Sequence, residues 1–188
     1  MKCEKVQSIT GLQRCESIPA VDRRGSFQKI FGRSTTEIHL EHSNFVIRQV
    51  NVSITETIGT VRGLHMQLGN HQEGKIVFCL AGEIYDVVLD LREDSPTFLG
   101  WISLELAPTH GFGIRIPPGC AHGFQVLRGP ATVLYLHDGD YVAEMDGGID
   151  CMDQDVGLNW PLPVINRSSR DRALPSLTRF LSDRLLQR

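Results

Sequence analysis

The sequence predicts a mostly-β domain built as a sandwich or a barrel. The first observation is a series of short runs rich in Val, Ile and aromatic residues: FVIRQVNVSI, KIVFCL, EIYDVVLDL, GWISLEL, FGIRIP, GFQVL and ATVLYLH. The second is the set of turn signals that separate these runs, namely Ala81-Gly82, Asp94-Ser95-Pro96, Pro108-Thr109-His110-Gly111, Pro117-Pro118-Gly119 and Arg128-Gly129-Pro130. Short strands in this rhythm are typical of sandwiches and barrels.

A few elements complete this series. A strand is predicted around residues 25 to 31, ahead of the central runs. In YDVVLDL, Asp86 and Asp90 alternate with apolar residues, so this strand should have one polar face, as expected beside a lined cavity. The tail SLTRFLSDRLLQR predicts a short carboxyl-terminal helix. Its apolar residues recur at helical spacing, at Leu177, Phe180, Leu181 and Leu185.

Length and composition predict one domain spanning residues 1–188. A single hydrophobic core serves chains of roughly 100 to 200 residues, and no repeat or linker divides the 188 residues. The net charge is −3 and the 19 basic residues are scattered, which argues against a nucleic-acid partner. No run approaches the roughly 20 apolar residues of a membrane span, and MKCEKVQSIT lacks the apolar core of a signal peptide. We therefore expect a cytoplasmic protein.

The cysteines argue against a disulfide framework or a zinc knuckle. Five are present, which is an odd number, and they are widely spaced without a CxxC pair. They are Cys3, Cys15, Cys79, Cys120 and Cys151. We expect most of them to be small buried apolar residues.

Two segments carry residues of catalytic type inside apolar, glycine-punctuated strands: VRGLHMQ and IPPGCAHGF. The second ends in His122 and resembles the second cupin motif, PxGxxH. The first resembles the first cupin motif, with Glu73 and Gly82 following His65, except that Gln67 stands where a metal-binding cupin has a second histidine. His65 and His122 are too few for a first-row metal, which gathers three or more ligands. We expect no metal, and a site completed by Glu73 is the alternative.

Five residues on neighbouring predicted strands suggest a catalytic cavity. Arg62, His65 and Lys75 fall on consecutive strands, His122 lies nearby, and Tyr135 follows on the next strand. Each histidine taken singly is more often a hydrogen-bonded polar residue than a catalyst. Together the five supply cations, a titratable base and a phenolic acid, which are the groups needed to remove a proton beside a carbonyl.

A family resemblance covers nearly the whole chain. RGLHMQ, QEGKIV, GEIYDVVLDLREDSPTFLGW, IPPGCAHGFQVL and the stretch from Tyr135 to Glu144 resemble successive blocks of the dTDP-4-dehydrorhamnose 3,5-epimerase family. DRRGSFQKIF, GLNWP and RSSRDRALP extend the match at both ends. The resemblance implies a cupin double-stranded β-helix, a jelly-roll barrel, that epimerises a nucleotide-linked 4-keto-6-deoxy sugar at carbon 3, carbon 5 or both. It also implies a homodimer and no metal or organic cofactor.

The resemblance assigns roles to residues of this chain. His65 matches the catalytic base, Asp171 the aspartate that pairs with it, Tyr135 the general acid and Lys75 the lysine that stabilises the enolate oxygen. The remaining matches are substrate-binding residues. Those for the nucleotide are Arg24, Phe27, Gln49 and Asn51. Arg62 and His122 match polar contacts to the substrate, and Tyr141 matches a tyrosine that positions the sugar.

One departure from the family concerns the nucleotide, and two other functions stay open. The resemblance implies a substrate that carries dTDP. Lys29 stands where the family commonly has a glutamate, and this departure leaves another nucleotide as the alternative. A keto-isomerase on the same fold would move the carbonyl between carbons 3 and 4. A non-catalytic barrel would bind a sugar nucleotide through its His and Lys residues, because a fold hosts many functions.

Overall fold

The computed structural model describes residues 2–30 and 45–186, which form eleven strands and two α-helices. The strands are β1 (Lys2–Lys5), β2 (Gln13–Glu16), β3 (Ala20–Asp22), β4 (Gly25–Phe27), β5 (Gln49–Thr55), β6 (Val61–Gln67), β7 (Lys75–Asp90), β8 (Trp101–Leu106), β9 (Phe112–Ile116), β10 (Cys120–His137) and β11 (Asp146–Gly148). The helices are α1 (Ser169–Arg172) and α2 (Leu177–Leu186). The predicted mostly-β architecture and the carboxyl-terminal helix are confirmed.

Two long antiparallel strands, β7 and β10, organise the sheet. They pair from Cys120 opposite Asp90 to His137 opposite Lys75. The first part of β7 pairs with β9 and its second part with β8, while the first part of β10 pairs with β6 and its second part with β5. Each long strand therefore belongs to two sets of neighbours, and the sheet folds round on itself.

The predicted turns at Ala81-Gly82 and at Arg128-Gly129-Pro130 are wrong, because both lie inside the long strands. Register shifts between Val126 and Val133 absorb the irregularity as a bulge. Gly82 has a φ of +74°, and a Cβ there would lie 2.4 Å from the carbonyl oxygen of Arg128. The two bends pack directly on each other, which requires glycine at this point.

The core lies on both faces of β7. Ile84 and Val88 pack inside the barrel, whereas Val87 and Leu89 pack on the other face in a cluster that includes residues of α2. The expected polar face of YDVVLDL is only partly polar, because Asp86 shares it with the two apolar core residues Ile84 and Val88. Asp86 and its partner His122 are nonetheless both buried in this interior.

The amino-terminal elements differ from the prediction in two ways. β4 ends at Phe27, and the end of the predicted strand, Phe31, lies outside the described residues. β3 and β4 pair with each other as a separate two-stranded hairpin whose residues are exposed. No helix in the described ranges is long and apolar enough to cross a membrane.

The argument against a disulfide is wrong for one pair of cysteines. Cys3 and Cys15 face each other across β1 and β2, and their sulfur atoms are bonded. Cysteine count and spacing carry no information about the register of paired strands, so this pair was missed. Cys79, Cys120 and Cys151 are free and buried, as expected.

Replacement of Gly82 by alanine is expected to lower the free energy of unfolding by about 2–5 kcal/mol, since backbone strain and overpacking add. Gly69→Ala is the matched control, because Gly69 also has a positive φ but a Cβ there meets nothing within 4 Å. It should cost about 1 kcal/mol from strain alone. Urea unfolding measures both variants. Equal losses would contradict the proposed contact between the bends.

Candidate active site

A cavity opens between β5, β6 and the facing parts of β7 and β10. Its lining includes most of the predicted site residues, namely Asn51, Arg62, His65, Lys75, His122, Tyr135 and Tyr141, together with Ser53, Gln67, Glu73, His137, Asp146 and Arg170. Side chains alternate between the two faces of a strand, so Tyr135 and His137 on β10 reach the cavity together.

His65 forms a hydrogen-bonded pair with Asp171. Its Nε2 lies 2.8 Å from Oδ1 of Asp171, and the carboxylate can only accept, so Nε2 carries the proton. In the neutral ring Nδ1 is then the unprotonated nitrogen. The side chain of His65 is 29% exposed and that of Asp171 is 5% exposed. The pair is thus a base with one accessible nitrogen and a buried orienting partner.

The backbone around α1 fixes the position of Asp171. The Ser168 hydroxyl caps the helix by accepting from the Asp171 amide at 3.0 Å, and the amide of Gly63 donates to the second carboxylate oxygen at 3.1 Å. Burial raises the pKa of Asp171, but the hydrogen bonds from His65, Gly63 and Ser168 outweigh burial and lower it to about 2. Asp171 is therefore ionised at neutral pH.

Tyr135 stands between two histidine rings. Its ring lies edge-on to His122 and stacked with His137, with centroids 6.2 Å and 6.1 Å away. Its hydroxyl hydrogen-bonds with the Ser53 hydroxyl at 3.2 Å. Burial raises the pKa of Tyr135 to about 12, so the phenol keeps its proton at neutral pH.

His122 is a fully buried member of the site. Its Nε2 lies 2.8 Å from Oδ2 of Asp86, and the two side chains are 5% and 0% exposed. Burial raises the pKa of Asp86, opposed by His122 and Lys75. The other oxygen of Asp86 has no hydrogen-bond partner among the described residues.

Lys75 shares a carboxylate with His137. Oε1 of Glu73 lies 2.8 Å from Nδ1 of His137 and 3.7 Å from Nζ of Lys75, and all three side chains are buried. Burial lowers the pKa of Lys75, and the negative charge of Glu73 opposes this effect. Glu73 was weighed only as a metal ligand and His137 was missed. The signal available for His137 was its position two residues after Tyr135, on the same face of a strand.

Arg62 and Arg170 differ in their partners. Arg62 donates to the Thr55 hydroxyl at 2.8 Å and to a backbone carbonyl, so its described partners leave its charge without a carboxylate. Arg170 is paired with Asp146, which also accepts from the Tyr141 hydroxyl at 3.1 Å. Of the cations that line the cavity, Arg62 is therefore the most available to an anionic ligand, judged by its contacts with the described residues.

The residues predicted for the nucleotide lie in two places. Asn51 lines the cavity, and Gln49 at its rim donates to the Asn51 side chain and accepts from the Tyr141 amide. Arg24 and Phe27 do not line it. They lie on the exposed β3–β4 hairpin, where Arg24 forms an ion pair with Asp22.

The alternative of a metal site at His65, His122 and Glu73 does not match the contacts that Glu73 makes. Glu73 hydrogen-bonds with His137 and lies 3.7 Å from Nζ of Lys75 rather than joining His65 and His122, and Gln67 accepts from the Val142 amide. Within residues 2–30 and 45–186, no three His, Cys, Asp or Glu side chains are grouped as metal ligands. The chemistry that these side chains can support is proton transfer by His65 and Tyr135 beside the amine of Lys75.

Comparison with known proteins decides the family. The model of the family described as dTDP-4-dehydrorhamnose 3,5-epimerase matches residues 6–179. The chain belongs to the dTDP-4-dehydrorhamnose 3,5-epimerase family. A family member from Sinorhizobium fredii is 38% identical over 157 residues, covering 83% of this chain and 80% of that protein.

Solved structures of two family members share the fold. The Mycobacterium tuberculosis epimerase superposes with a TM-score of 0.88 at 32% identity, covering 98% of this chain and 92% of that one. The Legionella pneumophila 3,5-epimerase was solved in complex with dTDP-4-keto-L-rhamnose. It superposes with a TM-score of 0.86 at 33% identity, covering 94% of this chain and 93% of that one. The predicted family and the predicted cupin jelly-roll fold are confirmed.

Asp171→Asn is expected to lower the free energy of unfolding by about 2 kcal/mol at pH 6, because the folded protein favours the ionised carboxylate. The folded-state pKa of about 2 lies below the ordinary value of 3.8. The carboxylate therefore contributes stability above pH about 4, and this contribution disappears as the pH falls to about 2.

Urea unfolding of Asp171→Asn and wild type between pH 2 and pH 6 tests this expectation. Asp94→Asn, which changes an exposed aspartate, is the control for a general charge effect. A loss for Asp171→Asn that stays constant across this pH range would contradict the assignment of the stability to the ionised carboxylate.

Proposed function

We propose that this protein epimerises a dTDP-linked 4-keto-6-deoxy sugar at carbon 3, carbon 5 or both, in deoxysugar biosynthesis. The observation that carries the proposal is the oriented His65–Asp171 pair in one cavity with Tyr135 and Lys75. The related Legionella pneumophila enzyme holds dTDP-4-keto-L-rhamnose, which is a dTDP-linked 4-keto-6-deoxy sugar.

Proton abstraction is the first step of the proposed reaction. Nδ1 of His65 removes the proton from the carbon beside the ketone, and Nε2–H stays bonded to Asp171. The ring becomes an imidazolium, which the ionised Asp171 stabilises. Lys75 stabilises the negative charge that develops on the ketone oxygen, because such charge is favoured by a preorganised cation in a buried site.

Proton return from the other face completes the inversion. Tyr135 is protonated at neutral pH, and it delivers its proton to the enolate carbon as a general acid. His122 and Tyr141 contact the sugar, and Arg62 binds the diphosphate, since guanidinium groups match phosphate oxygens. Gln49 and Asn51 face the nucleotide. The roles of Arg24 and Phe27 in binding the base stay predictions.

Proton NMR in deuterium oxide with freshly generated dTDP-4-keto-6-deoxyglucose tests the proposal. Solvent deuterium should enter at carbon 3, carbon 5 or both, and the pattern defines which centres are inverted. A new 3-keto sugar would instead identify the keto-isomerase. Tight binding of dTDP without any exchange would identify a non-catalytic binding protein. Other nucleotides, which Lys29 raises as an alternative, are tested in the same way.

His65→Asn is expected to slow deuterium exchange by about 10³-fold, because the base is lost. Tyr135→Phe should retain exchange at the abstracted position but lose the inverted product. Calorimetry should show that both variants still bind dTDP. His71→Asn replaces an exposed histidine outside the cavity and serves as the matched control. Full activity in His65→Asn would contradict the assignment of the base.

We also propose that the protein is a homodimer that acts in the cytoplasm. On β5 the polar residues Asn51 and Ser53 face the cavity, whereas Val50 and Ile54 point outward and are each more than half exposed. This apolar face runs along a strand that, in the described residues, pairs with β10 alone. A second copy that covers this face would remove apolar surface from water and protect the strand edge.

Ile54→Lys is expected to shift the protein from dimer to monomer, because the new charge would be buried in the interface. Ile165→Lys is the matched control, since Ile165 is similarly exposed but lies outside β5. Light scattering after size-exclusion chromatography measures the mass of both. An Ile54→Lys protein that keeps the mass of a dimer would place the interface elsewhere.

A further inference from the structure

The cavity contains a third histidine–carboxylate pair, His137–Glu73, that the proposed reaction does not use. Nδ1 of His137 lies 2.8 Å from Oε1 of Glu73, and both side chains are buried. Glu73 enters the cavity just before β7, and His137 is the last residue of β10. In the strand register, His137 lies directly opposite Lys75. The pair is therefore adjacent to the cation that the reaction requires.

One oxygen of Glu73 faces both nitrogens. The His137 contact has the length of a strong hydrogen bond, whereas Nζ of Lys75 is 3.7 Å from the same oxygen, which is beyond hydrogen-bonding distance. The carboxylate thus supports the charge of Lys75 through space without accepting one of its hydrogens. The ammonium donors stay available to a substrate oxygen.

The hydrogen bonds around His137 are consistent with one tautomer. The carboxylate can only accept, so Nδ1 of His137 carries the proton and Nε2 is the acceptor in the neutral ring. The Asn51 side-chain nitrogen lies 3.5 Å from this Nε2, and Gln49 in turn donates to the Asn51 oxygen. The chain of contacts runs from the cavity rim to Glu73 and holds His137 in place.

We propose that His137 is a positioning residue, which holds Glu73 at the distance that keeps Lys75 charged yet free to bind the enolate oxygen. Without His137, Glu73 closes onto Lys75 and occupies its donors. Without the charge of Glu73, the buried Lys75 loses its proton more readily. This role rests on the proposed function, because it concerns the lysine that stabilises the enolate.

Several charged or titratable groups lie near Lys75, and their effects on its charge must be distinguished from the effect of Glu73. They are Asp86 on β7, Cys120 and His137 on β10 and Asp146 on β11, while Tyr135 and His65 line the same cavity. Among the charges that support the protonated lysine, Glu73 has the largest effect and Asp146 and Cys120 follow. Substitution of Glu73 or His137 therefore changes the dominant contact.

Three variants test the positioning role through kcat, KM and their pH dependence. His137→Leu removes the donor with little change in volume, whereas His137→Asn keeps an N–H near the position of Nδ1. We expect His137→Leu to lower kcat by about 10-fold to 100-fold, since misplacement of a catalytic group has effects of this size. His137→Asn should restore most of kcat, and KM should change little in either variant.

Glu73→Gln should act differently from His137→Leu. Loss of the charge should move the alkaline limb of the kcat profile down by about one pH unit, because Lys75 then deprotonates earlier. His137→Leu should leave this limb in place or move it up, as Glu73 draws closer to Lys75. Wild-type kcat in His137→Leu, or no advantage of His137→Asn over His137→Leu, would overturn the proposal.

A measurement without substrate separates this inference from the proposed function. In protein labelled with ¹³C at lysine Cε, the Lys75 resonance is assigned by its absence in Lys75→Arg and followed by NMR during a pH titration. In Glu73→Gln, Lys75 should titrate at a lower pH than in the wild type. In His137→Leu it should not. If the wild type exchanges no deuterium, the proposed function fails, while an unchanged Lys75 titration in Glu73→Gln overturns the positioning role.

Discussion

The antiparallel pairing of β7 with β10 is the constraint on which the site depends. The two strands run together from Cys120 opposite Asp90 to His137 opposite Lys75. Because side chains alternate along each strand, this register sends Lys75, Tyr135 and His137 to one cavity. At the contact between the Gly82 and Arg128 bends both strands turn and the register shifts, and the pairing then continues to His137 opposite Lys75. The barrel and the site are consequences of the same pairing.

Paired charges are the second organising feature of the cavity. His65, His122 and His137 each bond a carboxylate, and Lys75 shares the carboxylate of His137. Burying a charge without a partner costs several kcal/mol, so these pairs allow polar side chains inside a barrel. The pairs differ in exposure. His65 is the most exposed of the three histidines, which suits its proposed role as the base.

β5 connects the site to the proposed dimer. Its polar side chains face the cavity and its apolar side chains face outward, which is the reverse of an ordinary surface strand. Ser53 bonds Tyr135 from the inner face, while Ile54 belongs to the outer face. A partner that covers the outer face would also stabilise the strand whose Ser53 bonds Tyr135 and whose Gln49 and Asn51 are proposed to face the nucleotide.

The sequence by itself determined the fold class, the family and seven of the residues that line the cavity, because strand periodicity and the motifs around His65 and His122 are local signals. It also predicted Asp171 as the partner of His65, although 106 residues separate them, through the family resemblance. Tertiary structure decided what depends on register. The Cys3–Cys15 bond, the continuous long strands and the His137–Glu73–Lys75 contacts join residues that local patterns do not relate. Distances between strands set those contacts, and only the folded chain specifies them.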